Sequence, residues 1–175
     1  MGRTRIGVAA LAAALAVTGA AARADADWVI KLGAQYEVLP DLPQADAWAF
    51  AFNSIYEYNF AGPVWFEMGS GLAVNGTYFD WHVVEAGLVG KFPIGKIVPT
   101  FRAAFIFDWR QFFEDESGRD VSNFILGASF GPGVRFLFGD SGRAILIELG
   151  FIGGKLMRDP KDAYFAILPQ VGFDF

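Results

Sequence analysis

The sequence contains no cysteine and a single histidine, His82. No disulfide can therefore stabilise the fold in any compartment. Protein zinc sites normally draw on several Cys or His ligands, so we expect no metal site and no cofactor. A lone histidine is also weak evidence for catalysis, because a catalytic base needs a nucleophile within hydrogen-bond reach.

A long apolar run and a basic block are also missing. Beyond residue 26 no run approaches the ~20 residues that a spanning helix requires. The formal net charge is −5, which makes nucleic acid a poor candidate partner. Yet 54% of the residues are hydrophobic and 17% are aromatic, including 19 Phe. These residues must either fill a water-soluble core or alternate along strands that face lipid.

The N-terminal segment has the pattern of a secretory signal peptide. Two arginines precede an apolar stretch at residues 6–17, and A-x-A patterns end at Ala24 and at Ala26. Cleavage after either alanine fits the pattern, and the alternative is a retained N-terminal helix. We therefore predict a signal peptide at 1–26 and one domain at 27–175.

The remaining chain alternates with a period of two, which is typical of β-strands with two different faces. In the second of these segments, Trp48, Phe50 and Phe52 alternate with small or polar residues. Eight such segments follow one another, each of roughly ten residues or more, the length of a tilted membrane strand. Tight turns are expected at 61–63, 93–96 and 139–142, and longer connections at 39–46, 75–80, 113–120 and 156–162. The pattern predicts an all-β fold, an eight-stranded antiparallel up-and-down transmembrane β-barrel.

Two features disturb this regularity. Gly131-Pro132-Gly133 interrupts the sixth segment and Pro169 interrupts the eighth, and a proline within a ladder usually marks a bulge or an edge. We favour a bulge or kink at Pro132 within one long strand over a turn there, and leave open whether Pro169 marks a bulge. The fourth segment is irregular because Trp81, Val83 and Val89 fall on its polar face.

The apolar faces are expected to point outward, because an eight-stranded interior is only just wide enough for its own side chains. The charged side chains would then line the lumen, with glycines making room for them. Buried charges survive when they are paired, so we expect an ion-pair network that plugs the lumen. A conduction path or proton relay is the alternative. The predicted network comprises Lys31, Glu37, Glu57, Glu67, Glu85, Lys91, Arg102, Asp108, Arg110, Arg135, Glu148 and Asp174.

Aromatic residues near the strand ends predict two interfacial belts, with His82 as a member of the outer one. The inner belt would comprise Trp28, Tyr58, Phe60, Trp65, Phe92, Phe138, Phe173 and Phe175. The outer belt would comprise Tyr36, Trp48, Tyr78, Trp81, Trp109 and Phe112.

The C-terminal residues carry the most specific resemblance, since apolar side chains alternate up to a terminal Phe. These residues are Phe165, Ile167, Val171, Phe173 and Phe175. They are similar to the signal that the outer-membrane barrel assembly machinery reads. In layout the chain resembles small barrels of the OmpA-transmembrane-domain, OmpX and opacity-protein type. The resemblance implies a bacterial outer-membrane location, contact with outer-membrane lipid and lipopolysaccharide, and a monomer.

Four functions are compatible with this pattern. The first is a non-enzymatic barrel that contributes to envelope structure, and the second is surface adhesion or ligand binding through external loops. The third is a lipid A-modifying enzyme centred on His82. Enzymes of the PagL type carry a His-x-Ser motif on a late strand, but the matching residues 143–148 read RAILIE. A small-molecule conduit is the fourth, and we predict no enzyme activity.

Overall fold

The computed structural model describes residues 26–38, 48–112, 121–139, 142–157 and 163–175. Residues 1–25, on which the predicted signal peptide falls, lie outside this part of the chain. So do three of the predicted longer connections, in whole or in large part. Within these ranges, no helix is long and apolar enough to cross a membrane.

Eight strands form one closed barrel in which each strand pairs antiparallel with its sequence neighbours. The predicted fold, strand number and up-and-down order are confirmed. The first strand pairs with the last, so no strand edge is left open. The strands are β1 (Ala26–Val38), β2 (Trp48–Ala61), β3 (Val64–Val74), β4 (Tyr78–Lys91), β5 (Ile97–Phe112), β6 (Val121–Leu137), β7 (Ala144–Leu156) and β8 (Ala163–Asp174).

The barrel closes with a stagger of ten residues. Following paired residues from Trp28 through all eight strands returns to β1 at Val38. Such a stagger requires the strands to tilt, typically by about 35–45° from the barrel axis. The tilt brings residues that are far apart in sequence to the same height in the lumen.

Exposure alternates along the strands as predicted. Large apolar side chains point outward, and Phe50, Phe105 and Ile147 are each about half exposed. Intervening residues are small or charged and point into the lumen, where most are buried. An exterior with this much exposed apolar surface is unlike that of a monomeric water-soluble domain.

A β-bulge at Val83 reverses the two faces within β4. The register shifts between His82 and Val84 against β5, and between His82 and Glu85 against β3, so β4 contains one extra residue there. The Ser70 hydroxyl donates to the His82 carbonyl at 2.7 Å and accepts a hydrogen bond from the Trp81 indole at 3.2 Å. These bonds lie beside the bulge, where ladder pairing is interrupted.

The bulge corrects two predictions for the outer belt. His82 and Tyr78 do not face the interface, because beyond the bulge the even-numbered residues of β4 point inward. Both side chains are almost completely buried in the lumen. Trp81 points outward as its place in the belt requires, which removes the apparent irregularity at this position.

The sixth segment is one long strand, as predicted, but its register contains no bulge at Pro132, and the register of β8 contains none at Pro169. Pro132 pairs with Phe101 in an unbroken register between β5 and β6, and Pro169 pairs with Leu149. On the other side, Pro132 faces β7 and Pro169 faces β1. There the proline and the residue before it are unpaired, and pairing then resumes in the same register. A missing amide hydrogen therefore interrupts each ladder on one side without adding a residue.

The connections are tighter than expected at one place. β4 begins at Tyr78, so the connection that we predicted over 75–80 spans only Asn75-Gly76-Thr77. Of the predicted tight turns, those at Gly62 and Gly95 contain a positive φ of 56° and 64°. Glycine adopts this conformation without the steric cost that other residues incur.

The inward glycines do more than make room for charged side chains. A Cβ atom at Gly87 would lie 2.2 Å from the Ala103 carbonyl oxygen, and one at Gly127 would lie 2.3 Å from that of Gly153. The obstacle in both cases is the backbone of the next strand. These glycines allow neighbouring strands to approach closely where the barrel wall curves.

Candidate functional site

The charged side chains of the lumen form three tiers along the barrel axis. We call the end at which β1 begins and β8 ends the terminal end, and the opposite end the loop end. The inner tier, at the terminal end, comprises Asp27, Glu57, Lys91, Arg135 and Asp174. The middle tier comprises Lys31, Glu67, Glu85, Arg102 and Glu148. The outer tier, toward the loop end, comprises Glu37, Asp80, His82, Asp108 and Arg110.

In the inner tier, two basic side chains share three carboxylates. Arg135 donates to Glu57 at 2.5 Å and to Asp174 at 2.6 Å. Lys91 lies 2.7 Å from Glu57 and 2.5 Å from Asp27. The Lys91 ammonium also lies 3.5 Å from the centre of the Trp65 ring. Trp65 therefore faces the mouth of the lumen and is not part of the inner belt that we predicted.

The middle tier is centred on Arg102 of β5. Its guanidinium donates to Glu67 at 3.0 and 3.1 Å, to Glu148 at 3.4 Å, and to Glu85. Lys31 donates to both oxygens of Glu148 at 2.9 and 3.0 Å. The Ser129 hydroxyl donates to Glu85 at 2.7 Å. This tier thus links strands from around the whole barrel through buried, charge-assisted hydrogen bonds.

The outer tier is centred on Arg110. The guanidinium donates to both oxygens of Glu37 at 2.6 and 2.8 Å and to Asp80 at 2.5 Å. The rings of Tyr78 and Tyr164 lie 4.6 and 4.7 Å from its central carbon, within the range of cation–π contacts. Arg110 is completely buried. It closes the lumen below the loop end.

His82 and Asp108 form a separate pair within the outer tier. The imidazole Nδ1 lies 2.9 Å from an Asp108 oxygen, and both side chains are buried. Among the described residues, no serine or threonine hydroxyl is hydrogen-bonded to the imidazole. The geometry provides a charge partner for Asp108 but not a nucleophile–base pair of the kind that hydrolysis requires.

Apolar side chains separate the charged tiers. Val29, Ile55 and Leu146 form a buried cluster between the inner and middle tiers. Ile106, Ile152 and Leu168 belong to a second cluster that extends from above the middle tier to the loop end. A hydrated ion crossing the lumen would meet two apolar layers as well as three ion-pair clusters.

Each tier contains three carboxylates and two basic side chains when His82 is counted as basic. The excess of acidic over basic side chains is therefore distributed along the barrel axis and does not form one strongly acidic site. Among the residues that the structure describes, no group of three or more His, Cys, Asp or Glu side chains is arranged to hold a metal ion.

All twelve side chains of the network predicted from the sequence lie in these tiers, and the structure divides them among the three. Sequence reasoning missed Asp27, Asp80 and His82 as members. Asp27 precedes the clear alternation of β1, and the other two lie above the bulge. Tyr78 and Tyr164 were missed as partners of Arg110.

The predicted assembly residues lie on the outer face of β8. Phe165, Phe173 and Phe175 are exposed, the last by 66%. The terminal residue also closes the barrel, because the Phe175 amide donates to the Trp28 carbonyl at 2.9 Å. A segment that faces outward beside the closing seam is accessible to a partner before the barrel closes.

No family model matches the sequence, and no curated protein matches it. Solved structures that share the fold include the following three. Neisserial surface protein A has a TM-score of 0.67 and 12% identity, covering 89% of this chain and 98% of that protein. The N-terminal β-barrel domain of Pseudomonas aeruginosa OprF has a TM-score of 0.57 and 14% identity, covering 86% and 98%.

The third is the attachment invasion locus protein Ail of Yersinia pestis, in complex with the heparin analogue sucrose octasulfate. Its TM-score is 0.52 and its identity is 16%, covering 86% of this chain and 99% of Ail. At such low identity these likenesses establish the eight-stranded barrel fold alone.

Proposed function

We propose that this chain is a bacterial outer-membrane β-barrel that contributes to envelope structure and has neither an open pore nor an active site. The observation that carries the proposal is the distribution of side chains between the two faces of the barrel. The exterior of the described strands is apolar and aromatic, as lipid requires, while the acidic side chains that the structure describes lie within the lumen. The three similar solved structures support the same placement.

The closed lumen follows from the tiers. Opening a water-filled path would require Arg102 and Arg110 to leave carboxylates that they contact in a buried environment. Breaking a buried ion pair by removing one partner costs about 3–5 kcal/mol. The two apolar layers would also have to part. A barrel filled in this way stabilises the membrane around it and exposes its two ends to solvent, but it does not let solutes cross the membrane.

The remaining features of the proposal concern targeting. We propose that residues 1–26 direct export, and that the alternating residues from Phe165 to Phe175 are read by the barrel assembly machinery. The partners are outer-membrane lipid and lipopolysaccharide, and the barrel acts as a monomer. Two exposed aromatic residues, Trp48 and Phe60, lie at opposite ends of β2, where they would meet the two interfaces.

The placement is tested by expressing the full chain in a Gram-negative host and separating inner from outer membranes. We expect the mature chain in the outer membrane, folded into a form that migrates differently on gels after boiling. A deletion strain should admit large antibiotics or detergents more readily than its parent. A chain that fractionates with soluble periplasmic proteins would contradict the proposal.

Ligand binding through the loop end is the second candidate. Three connections of six to nine residues, 39–47, 113–120 and 157–162, all join strands at that end. Cells displaying the barrel would be tested for binding to sulfated glycans and host-cell surfaces, with a variant whose 113–120 segment is replaced by glycine and serine as the control. Equal binding by both would exclude this segment as the contact.

A further inference from the structure

Among the residues that the structure describes, the charged side chains outside the lumen are all basic. The nine acidic side chains that the structure describes lie in the three tiers, with only Asp27 partly open to solvent at the mouth. The described basic side chains outside the tiers are Lys96, Arg143 and Lys155, and all three are exposed.

Two of these basic residues lie on either side of one aromatic residue at the terminal end. The Leu137 amide donates to the Lys96 carbonyl at 2.9 Å, and the Phe138 amide donates to the Arg143 carbonyl at 3.0 Å. Lys96 precedes β5 and Arg143 precedes β7, so the end of β6 runs between them. Phe138 itself is 42% exposed.

We infer that Lys96, Phe138 and Arg143 form a binding site for the phosphate groups of anionic membrane lipids. We call this the terminal rim site. The inference rests on the proposed function, because the site requires the barrel to span a bilayer. Exposed aromatic rings position a barrel at the level of the headgroups, and lysine and arginine near the strand ends extend toward them. Anionic lipid surfaces attract each such residue.

The surroundings favour a lipid over a soluble anion. Ile97 and Phe136, which pair with each other just inside the rim, are both more than 40% exposed. Ile94, in the turn before Lys96, is 71% exposed. A free phosphate ion would leave this apolar surface in water, whereas a lipid covers it with acyl chain while its phosphate meets the cations.

The test compares the wild type with the double variant Lys96→Gln/Arg143→Gln in two kinds of vesicle. One contains phosphatidylcholine alone and the other contains added phosphatidylglycerol. The equilibrium constant for unfolding in urea is measured in both. Phosphatidylglycerol should favour the folded wild type by about fivefold for each basic residue, and so by about 25-fold for the pair. The double variant should lose this preference.

Three controls make the result specific. Lys96→Arg/Arg143→Lys should keep the preference, because both charges remain. Asp140→Asn, which removes an acidic residue from the turn before Arg143, should leave it unchanged or raise it. Inorganic phosphate added to phosphatidylcholine vesicles should not reproduce it. A double variant that keeps the preference, a decrease with Asp140→Asn, or an equal effect of inorganic phosphate would overturn the inference. Failure of the wild type to fold into either vesicle would contradict the proposed function instead.

Discussion

The inner and outer tiers have the same balance of charge but achieve it in different ways. In the inner tier, Lys91 and Arg135 bridge three carboxylates beside the mouth of the lumen, where the Asp27 side chain is 34% exposed. In the outer tier, Arg110, Asp80 and Asp108 are completely buried, and the second basic group is a histidine that a bulge turns inward. Solvent reaches the first tier at Asp27, whereas the three outer-tier side chains named above are shielded from it. The outer tier should therefore be the more sensitive of the two to substitution.

Deletion of Val83 should have the largest effect. Without the extra residue, the loop-end half of β4 would reverse its faces and direct Asp80 and His82 toward lipid. Charged side chains on the lipid face cost up to roughly 2–4 kcal/mol each near the midplane, and Arg110 would also lose a partner. We expect no heat-modifiable folded band in refolding assays. Val83→Ala, which keeps the bulge, is the control, and a deletion variant as stable as this control would show that the bulge does not set the faces.

Replacing Arg110 of the outer tier and Arg135 of the inner tier compares these two tiers directly. Arg110→Met should destabilise the folded barrel by about 3–5 kcal/mol, because it leaves buried carboxylates without a partner. Arg135→Met should cost less, roughly 1–3 kcal/mol, since Lys91 still lies 2.7 Å from Glu57. Urea unfolding in lipid vesicles gives both values. Equal losses would remove the distinction between the tiers.

His82→Gln should destabilise the barrel by roughly 1–3 kcal/mol, because Asp108 loses its charged partner in a buried site. Adding Asp108→Asn should recover part of the loss, since the double variant no longer buries an uncompensated carboxylate. A double-mutant cycle of unfolding free energies measures the coupling. Simple additivity of the two changes would mean that the pair contributes nothing beyond its separate side chains.

The smallest effect is expected for Asp27→Asn. Its ion pair with Lys91 is partly exposed, and such pairs typically contribute about 0–1 kcal/mol. Urea unfolding in lipid vesicles should show a change in the free energy of unfolding that is close to the error of the measurement. A loss as large as that of Arg110→Met would mean that the inner tier is no more tolerant than the outer one.

The sequence alone predicted the strands and most of the inward-facing and outward-facing positions. Alternation with a period of two is typical of a sheet whose two faces differ in polarity. The sequence was also sufficient for the inward direction of charged residues such as Glu37 and Arg102, since lipid excludes them. The position of Trp81 on a polar face was the one visible sign of the bulge. It did not show which neighbouring residue was the extra one.

The pairing within the tiers could not be read from the sequence. Glu37 and Arg110 are 73 positions apart and meet only because of the stagger between strands. A shift of two residues in one register would keep every face unchanged and give Arg110 different partners. The absence of bulges at Pro132 and Pro169 was likewise decided by the ladders around them, which continue on the other side of each proline.

Electrical recording of the refolded wild type in a planar lipid bilayer tests the central claim most directly. If three ion-pair tiers and two apolar layers fill the lumen, the inserted barrel should show no steady, discrete conductance. Insertion would be verified in the same preparation by the mobility shift on gels. Reproducible conductance steps from the verified wild-type barrel would contradict the filled lumen and the non-conducting role proposed for it.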